Sequence, residues 1–457
     1  MAVASFKSAR SVTALSESPL FAHQYSSITA AIAGLAKNDW ERRHVQRVLQ
    51  EYWQKYFEVG RVIHWQTDVV NVFREHAPCL RERQYRHKAN NVIGGNKALG
   101  LGYPLSEVNW ADPESGWSVP FAMRRSGACE DEALAGAEQI KALCERVEFA
   151  QALNINVCDC GYGTAKYLAA VARVGNLVTI PRLRHGHKVY EALCRRTKGA
   201  PQIYGEKYYL VEESGTQIYR TKMGEREVWQ RAIYERKADE EAVIERETKK
   251  GRRLRIELKR WGAMKLRNRD GHSLKEVEFD LVGMRARDAT TGARVFRHDQ
   301  FVAVVGERRA QLSVAEVAEE YRHRFDLEVT NRLMKQQLFL QGYQTPAVEH
   351  LDNWTLIMQT ALWLLWAASK EVGNECPKWQ RYGAIQKVEG ERRTAAETRK
   401  GLEKLLLSFE RKDFEPKKCQ KGRGRPRGRK QAPRKRYEVV RKWHSEVEIS
   451  KNVCQRE

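Results

Sequence analysis

SVAEVAEEYRHRFDLEVTNRLMKQQLFLQGY, running from Ser313 to Tyr343, reads as one long helix with both ends marked. Ser313 and Glu316 form an S-x-x-E capping box, and Gly342 followed by Pro346 closes the far end. Val314, Val317, Phe325, Val329 and Met334 supply apolar positions at roughly helical spacing. Tyr321, Arg324, Glu328 and Lys335 stand at offsets of three, seven and fourteen. At about 100° per residue they share a stripe about 60° wide. A carboxylate between two cations and a phenol suits a metal-assisted phosphate site: the glutamate holds a divalent ion, while Arg, Lys and Tyr hold phosphate oxygens. A solvated charged face is the plainer reading of the same spacing.

Tyr321-x2-Arg324-x3-Glu328-x6-Lys335 resembles the Y-(2)-R-(3)-E-(6)-K signature of bacterial insertion-sequence transposases of the cut-and-paste DDE class (insertion sequence family four and its relatives). All four letters and all three gaps match, over fifteen residues. The resemblance implies two aspartates upstream, each ending a strand.

Two stretches meet that demand. Val62-Ile63-His64-Trp65-Gln66-Thr67-Asp68 reads as a buried strand ending in an acid, and so does Ile155-Asn156-Val157-Cys158-Asp159. Between them, Lys97–Leu105 and Ser118–Met123 predict two more strands, and Glu130–Leu153 an amphipathic helix. After Asp159, Cys160–Gly163 turns the chain into a helix over Thr164–Val174 and a strand over Leu177–Pro181. The succession is that of a ribonuclease-H-like core, in which the first and fourth strands lie side by side. Asp68 and Asp159 then join Glu328 as the catalytic, metal-binding trio. Each acid could instead cap the turn after its strand, and Asp280 in Phe279–Val282 is a rival to Asp159.

A formal charge of +23 on 457 residues favours a polyanionic partner, most often nucleic acid. Apolar content of 42% and 12 tryptophans argue for a folded chain. The 9 cysteines are unevenly spaced, which suits free thiols in a reducing cytosol. Cys158-x-Cys160 lacks the second half of a zinc site. The first 25 residues show no signal peptide, and the apolar run Trp354–Ser369 is short for a membrane span. The expectation is a soluble, cytoplasmic, nucleoid-associated bacterial protein with no membrane partner.

The expected fold class is α/β: a ribonuclease-H-like mixed-sheet core interrupted by a mainly β insertion, with helical N-terminal and C-terminal regions. Residues 1–58 are expected to form a helical DNA-contacting lobe, with helices near Ser27–Ala36 and Trp40–Tyr56, and a lid on the core is the equal alternative. Residues 59–184 and 313–375 make the two parts of the core, 185–312 the insertion, and 376–457 a basic C-terminal region. Within the insertion a helix is expected over Glu225–Lys250. Strands follow near Arg255–Trp261, Glu278–Arg285 and Arg294–Val305, with turns at Arg269–Gly271 and Thr291-Gly292. In the resembled family such insertions hold a flipped base and a hairpin intermediate. Trp261, flanked by Lys259, Arg260 and Lys265, is the candidate for stacking on an unpaired base, with core burial its alternative. Further helices are expected over Val348–Val372 and Thr394–Phe409. From Lys417 to Arg436 eleven of twenty residues are Lys or Arg and none is acidic. There Arg423, Arg425, Arg427 and Arg429 resemble an AT-hook, an arm for the A·T minor groove, against the alternative of a general polycation.

Three carboxylates suit two Mg²⁺ or Mn²⁺ ions per active site, with Asp68 bridging them. The resemblance implies excision of an insertion sequence, a hairpin step and strand transfer, with double-stranded element ends and target DNA as partners and a homodimer in a synaptic complex. Cys160 stands where many relatives have a basic residue, which leaves open whether a hairpin intermediate is used. The alternatives are a ribonuclease-H-like nuclease without strand transfer and a non-catalytic transposase-derived DNA-binding protein.

Overall fold

The computed structural model describes residues 1–7, 9, 11–18, 20–21, 25–56, 59–88, 99–195, 202–221, 224–248, 251–267, 277–345, 347–372, 392–407, 428 and 432–440. In chain order the elements begin with α1 (Ala2–Ser5), α2 (Tyr25–Gly34), α3 (Asp39–Gln54), β1 (Val62–Phe73), β2 (Gln84–His87), β3 (Leu99–Asp112) and β4 (Trp117–Arg125). Next come α4 (Glu132–Cys144), β5 (Leu153–Cys158), α5 (Ala165–Val171), β6 (Leu177–Leu183), β7 (Lys188–Arg195), β8 (Gln202–Tyr209), β9 (Gly215–Thr221) and β10 (Gly224–Gln230). The remainder is β11 (Glu240–Glu247), β12 (Arg253–Lys265), β13 (Phe279–Asp288), β14 (Gln300–Val304), α6 (Val314–Gln336), α7 (Val348–Ala368) and α8 (Ala395–Leu407). The fold is a ribonuclease-H-like α/β core with a mainly β insertion between β6 and β14, and helices at both ends.

The chain divides into two compact units. One holds Val59–Asp68 and Ala133–Phe325. Its strands run in the order β1-β5-β6-β14-β13-β12-β7-β8, with β11 added on β12. β1, β5 and β6 are parallel, and the pairs from β6–β14 outward to β7–β8 are antiparallel. All six residues of β5 are buried, as expected for a parallel strand covered on both faces. One face packs Ile155, Val157, Val178 and Ile180 against Val314, Val317 and Tyr321 of α6. On α4, a Cβ at Gly136 would come within 2.8 Å of the Thr67 methyl and the Tyr162 ring. Glycine there lets the helix lie close to the residue preceding Asp68.

The other unit holds Met1–Glu58, Val69–Glu132 and Asp326–Glu457. β3 pairs with β2 and β4, and tryptophans assemble the core beneath β4. Trp363 of α7 stacks on Trp53 of α3 at 5.3 Å and on Trp110 at 5.9 Å, and donates its indole N–H to the Pro120 carbonyl. Gln50 Nε2 donates to the Phe121 carbonyl, which fixes α3 on the same strand. Its opposite face leaves Trp40, Arg43, Arg47, Tyr52 and Tyr56 exposed.

Several expectations are corrected here. No helix spans Glu225–Lys250: β10 and β11 lie there instead. Glu240–Glu247 alternates half-buried and exposed residues along its length and pairs with β12, a period of two that the many charged residues disguised. The capping box at Ser313 is present, with the Ser313 backbone N–H donating to Glu316 Oε2 at 2.8 Å and the Glu316 N–H to Ser313 Oγ at 3.3 Å. The helix ends at Gln336, before Gly342. Phe339 takes a φ of +63°. The turn is held by Arg74, whose guanidinium donates to the carbonyls of Leu340, Gln341 and Tyr343 and so satisfies groups that a longer helix would have used. Phe325 and Val329, read as core positions, are exposed, whereas Tyr321 and Leu327 are buried. Asp68 sits inside β1, not at its end, because that strand runs on to Phe73. The strand expected over Arg294–Val305 is confined to Gln300–Val304, and the turn at Arg269–Gly271 lies outside the described residues.

Candidate active site

Two neighbouring parallel strands position the aspartates. β1 and β5 pair from Val62 with Leu153 to Thr67 with Cys158, a constant offset that makes Asp68 and Asp159 the next pair. Alternation along each strand gives the two faces different work. On one face Trp65 Nε1 donates to Asn154 Oδ1 at 2.9 Å, and Thr67 Oγ1 to Asn156 Oδ1 at 2.8 Å. Asn156 in turn donates to the Tyr167 hydroxyl at 2.9 Å, so this buried polar ladder locks the two strands in register. Asp68 and Asp159 therefore share the opposite face with His64, Gln66, Ile155 and Val157. Neighbouring strands lie about 4.8 Å apart, a separation that lets two carboxylates on one face reach a common cation. The Asp159 and Asp68 charges both act on the Cys158 thiol, which burial pushes up to about 12.

Asp159 Oδ1 accepts the Gly161 backbone N–H at 2.7 Å. The turn-capping alternative thus describes one oxygen and leaves Oδ2 for other chemistry. A carboxylate already fixed by its own turn suits metal binding, because little side-chain freedom remains to be lost. Both aspartates are half-buried.

The first half of α6 covers this face. His64 Nδ1 meets Glu320 Oε2 at 2.8 Å, and Gln66 Nε2 donates to the His323 carbonyl at 2.6 Å. Tyr321 is 2% exposed, which removes it from any solvated stripe. Burial raises its phenol pKa; Arg324 and Arg182 oppose that rise, and the Asp159 charge adds to it. Arg324 also lies over the Phe325 ring at 4.9 Å. Further along the same unbroken helix come Glu328, exposed, and Lys335, half-buried, both in the other unit.

Beyond β6 a cleft of about 650 Å³ is lined by Arg184, His185, Lys188 and Arg267, among others. Its cationic walls suit a phosphate backbone.

Other candidates separate cleanly. Trp261 is 0% exposed, stacks edge-on against Tyr234 and donates its N–H to the Arg236 carbonyl, so it is a core residue and presents no face to a base. Asp280 is committed to Arg260 at 2.6 Å and Arg309 at 3.1 Å, which leaves Asp159 without its rival. Arg423, Arg425, Arg427 and Arg429 lie outside the described residues. Sequence reasoning missed Trp229, which is 63% exposed on the β9–β10 hairpin beside Ile218 at 56%. The signal was available in Gly224–Gln230, where Glu225, Arg226 and Glu227 precede the tryptophan and leave no sustained apolar alternation to bury it.

The family model described as DDE superfamily endonuclease matches residues 2–238, more than half of the 457-residue chain. The match includes Asp68 and Asp159 and stops before α6. No curated protein matches the chain. Among the described residues no helix is long and apolar enough to cross a membrane.

Proposed function

Given that the chain belongs to the DDE superfamily endonucleases, enzymes of nuclease and transposase type that act on DNA and generally use divalent metals, we propose that it is a cut-and-paste DNA transposase of an insertion sequence. The observation that carries this reading is the shared register of Asp68 and Asp159 on the sheet face that the first half of α6 covers. Glu328 lies one turn beyond Arg324 on that helix and is the third carboxylate in this reading.

Asp68, Asp159 and Glu328 offer hard oxygen donors, the chemistry that Mg²⁺ or Mn²⁺ selects, and two ions are expected. Held by these three carboxylates, divalent ions would supply Lewis-acid activation of a water or 3′-hydroxyl and charge stabilisation at the leaving oxygen. The protein's own work is to orient and hold. Gly161 keeps the Asp159 carboxylate fixed, and the Asn156–Thr67 bond keeps the two strands from slipping. Arg324 and Lys335 take phosphate oxygens next to the scissile bond, and Tyr321 buttresses Arg324 from the core. The cleft beside Lys188 offers one duplex contact, the exposed face of α3 offers another on its own unit, and the basic segment 417–436 adds a further cationic stretch. Trp229 replaces Trp261 as the residue of the insertion with a ring available to an unpaired base. A homodimer on paired ends in the bacterial nucleoid completes the reading.

Purified protein with Mg²⁺, labelled DNA carrying the sequences that flank its coding region, and a target plasmid provide the test. End–target joints support transposition. Nicks or double-strand breaks without joints reduce the function to that of a nuclease. DNA binding that never leads to cleavage, in Mg²⁺ or Mn²⁺, leaves a DNA-binding protein.

A further inference from the structure

Away from the aspartates, three side chains from separate loops of one unit converge on a single point. His185 lies in the β6–β7 turn, Glu212 just after β8, and His298 just before β14. His185 Nε2 is 3.0 Å from Glu212 Oε2 and His298 Nδ1 is 3.4 Å from Glu212 Oε1. The imidazoles stack at 3.9 Å, and the three ligand atoms all lie within 4.8 Å of one another. We propose that His185, Glu212 and His298 form a transition-metal site selective for Zn²⁺, with water in the fourth position, that fastens the root of the insertion to the core sheet.

The geometry suits this ion. Tetrahedral zinc with bonds of about 2.0–2.1 Å holds neighbouring ligand atoms about 3.3 Å apart, inside the 4.8 Å that encloses one ligand atom from each of the three residues. Two imidazoles and one carboxylate favour zinc over magnesium, which prefers an all-oxygen shell.

The backbone builds the site from two directions. β6 and β14 pair antiparallel, Leu183 with Phe301 and Arg182 with Val302, and two steps outward this register sets His185 opposite Asp299, the neighbour of His298. Gly186, at a φ of +74°, donates its N–H to the Leu210 carbonyl at 2.9 Å, and Leu210 returns a bond to His187. That clamp brings the end of β8 to the turn two residues before Glu212. The Asp299 backbone N–H then donates to Glu212 Oε1 at 2.8 Å and orients the carboxylate, as outer partners of metal ligands do. The Asp299 side chain is itself held at Oδ2 by Arg285 and Tyr234. Side-chain exposures of 35% for His185 and 40% for His298 leave a path for the ion and its water. One group opposes binding. Arg294 Nη1 stands 3.6 Å from Glu212 Oε1 and competes for the same carboxylate.

The test uses the full chain, freed of metal by chelation, returned to Mg²⁺ buffer and titrated with Zn²⁺ alone. Elemental analysis after gel filtration should find one zinc per chain that Mg²⁺ does not displace. His185→Ala and His298→Ala should each weaken binding by more than about 10-fold, the least that loss of even an outer partner costs. Arg294→Ala should tighten it. In the unaltered chain, Zn²⁺ should protect His185 and His298 from acylation by diethylpyrocarbonate, read peptide by peptide, so the proposal does not depend on a variant folding. Binding that survives both histidine substitutions, or acylation of the two histidines at the same rate with and without Zn²⁺, overturns it. Neither result bears on cleavage of DNA at the aspartates, so the two readings fail separately.

Discussion

Asp68 and Asp159 occupy one register step beyond Thr67 and Cys158, the last paired residues of two parallel strands. Their carboxylates thus leave the sheet on the same face while the ladder behind them stays closed. In the proposed site either Asp→Asn change removes an ion ligand without altering shape. Cleavage should fall by about 10³-fold or more, since bound ions contribute several kcal/mol of transition-state stabilisation. Duplex binding in Ca²⁺ should hold within a factor of about three, because phosphate contacts dominate affinity. Asp159→Cys should regain part of its activity in Mn²⁺ and none in Mg²⁺, following the softness of the thiolate. Full cleavage by either Asn variant in a gel-based nicking assay would remove the aspartates from the chemistry.

Asp280 supplies the contrast. Its carboxylate is buried between Arg260 and Arg309, with 12% of the side chain exposed. Asp280→Asn leaves two guanidiniums facing a neutral amide, and breaking a buried pair of this kind costs about 3–5 kcal/mol. The expected outcome is a lower urea midpoint with unchanged specific activity in the folded fraction. Loss of cleavage at full stability would make Asp280 a candidate catalytic acid once more.

Much of the core was legible because its signals are local. Val62–Asp68 and Ile155–Asp159 are short apolar runs closed by an acid, and the strand, strand, strand, helix, strand succession of β1, β3, β4, α4 and β5 is the one in which the first and fourth core strands lie side by side. The capping box at Ser313 was equally plain. Other features depend on partners distant in the chain. Glu240–Glu247 carries charges suited to a solvated helix, and only pairing with β12 selects the strand. The end of α6 at Gln336 depends on Arg74, far away in sequence, satisfying the turn that follows. Trp261 and Trp229 both stand among charged residues, and only the sheet beneath them decides which is buried. His185, Glu212 and His298 have no spacing that marks them, because the antiparallel register of β6 with β14 assembles the group.

The two tryptophans give opposite predictions. Trp261→Ala empties a fully buried site and should cost about 3–5 kcal/mol of stability, with any DNA defect tracking the unfolded fraction. Trp229→Ala removes a ring that is 63% exposed and should leave the melting temperature within about 1 °C. If Trp229 stacks on an unpaired base, binding to DNA ends with a frayed or flipped nucleotide should weaken by about 1–3 kcal/mol, while fully paired duplex is unaffected. Equal losses on both substrates, measured by fluorescence anisotropy, would assign Trp229 to general DNA binding instead.

Cysteine chemistry follows burial. Cys144 and Cys158 sit in the core, where desolvation pushes both thiols up from 9.0 to about 12, whereas Cys129 is exposed. A thiol whose folded pKa is raised contributes stability that is complete below the unfolded pKa. Between pH 9 and pH 12 the unfolded chain loses a proton that the folded chain keeps, so stability falls as pH rises through that window. Urea midpoints should therefore decline above pH 9, and less steeply in Cys144→Ala. At pH 8, iodoacetamide should label Cys129 rapidly and reach Cys144 and Cys158 only as the chain unfolds, as mass spectrometry of the labelled peptides would register.

The segment from Lys417 to Arg436 separates two forms of DNA binding that composition alone cannot. A polycation neutralises phosphates regardless of sequence, and the slope of log K against log salt becomes shallower by about 0.9 for each phosphate it ceases to neutralise. An AT-hook instead lays Arg423, Arg425, Arg427 and Arg429 along a narrow minor groove, where A·T tracts deepen the negative potential. Deleting 417–436 should weaken binding to any duplex and reduce its salt dependence under either form. Replacing the four arginines by lysine keeps the charge but exchanges planar guanidiniums for compact ammonium groups. With a groove-bound arm the lysine variant loses its preference for A·T-rich over G·C-rich duplex while keeping most of the salt slope. With a simple polycation neither chain has such a preference, and the lysine variant binds as the parent does. Titrations of the three chains on two duplexes at several salt concentrations therefore decide the question, and cleavage need not be observed for the answer.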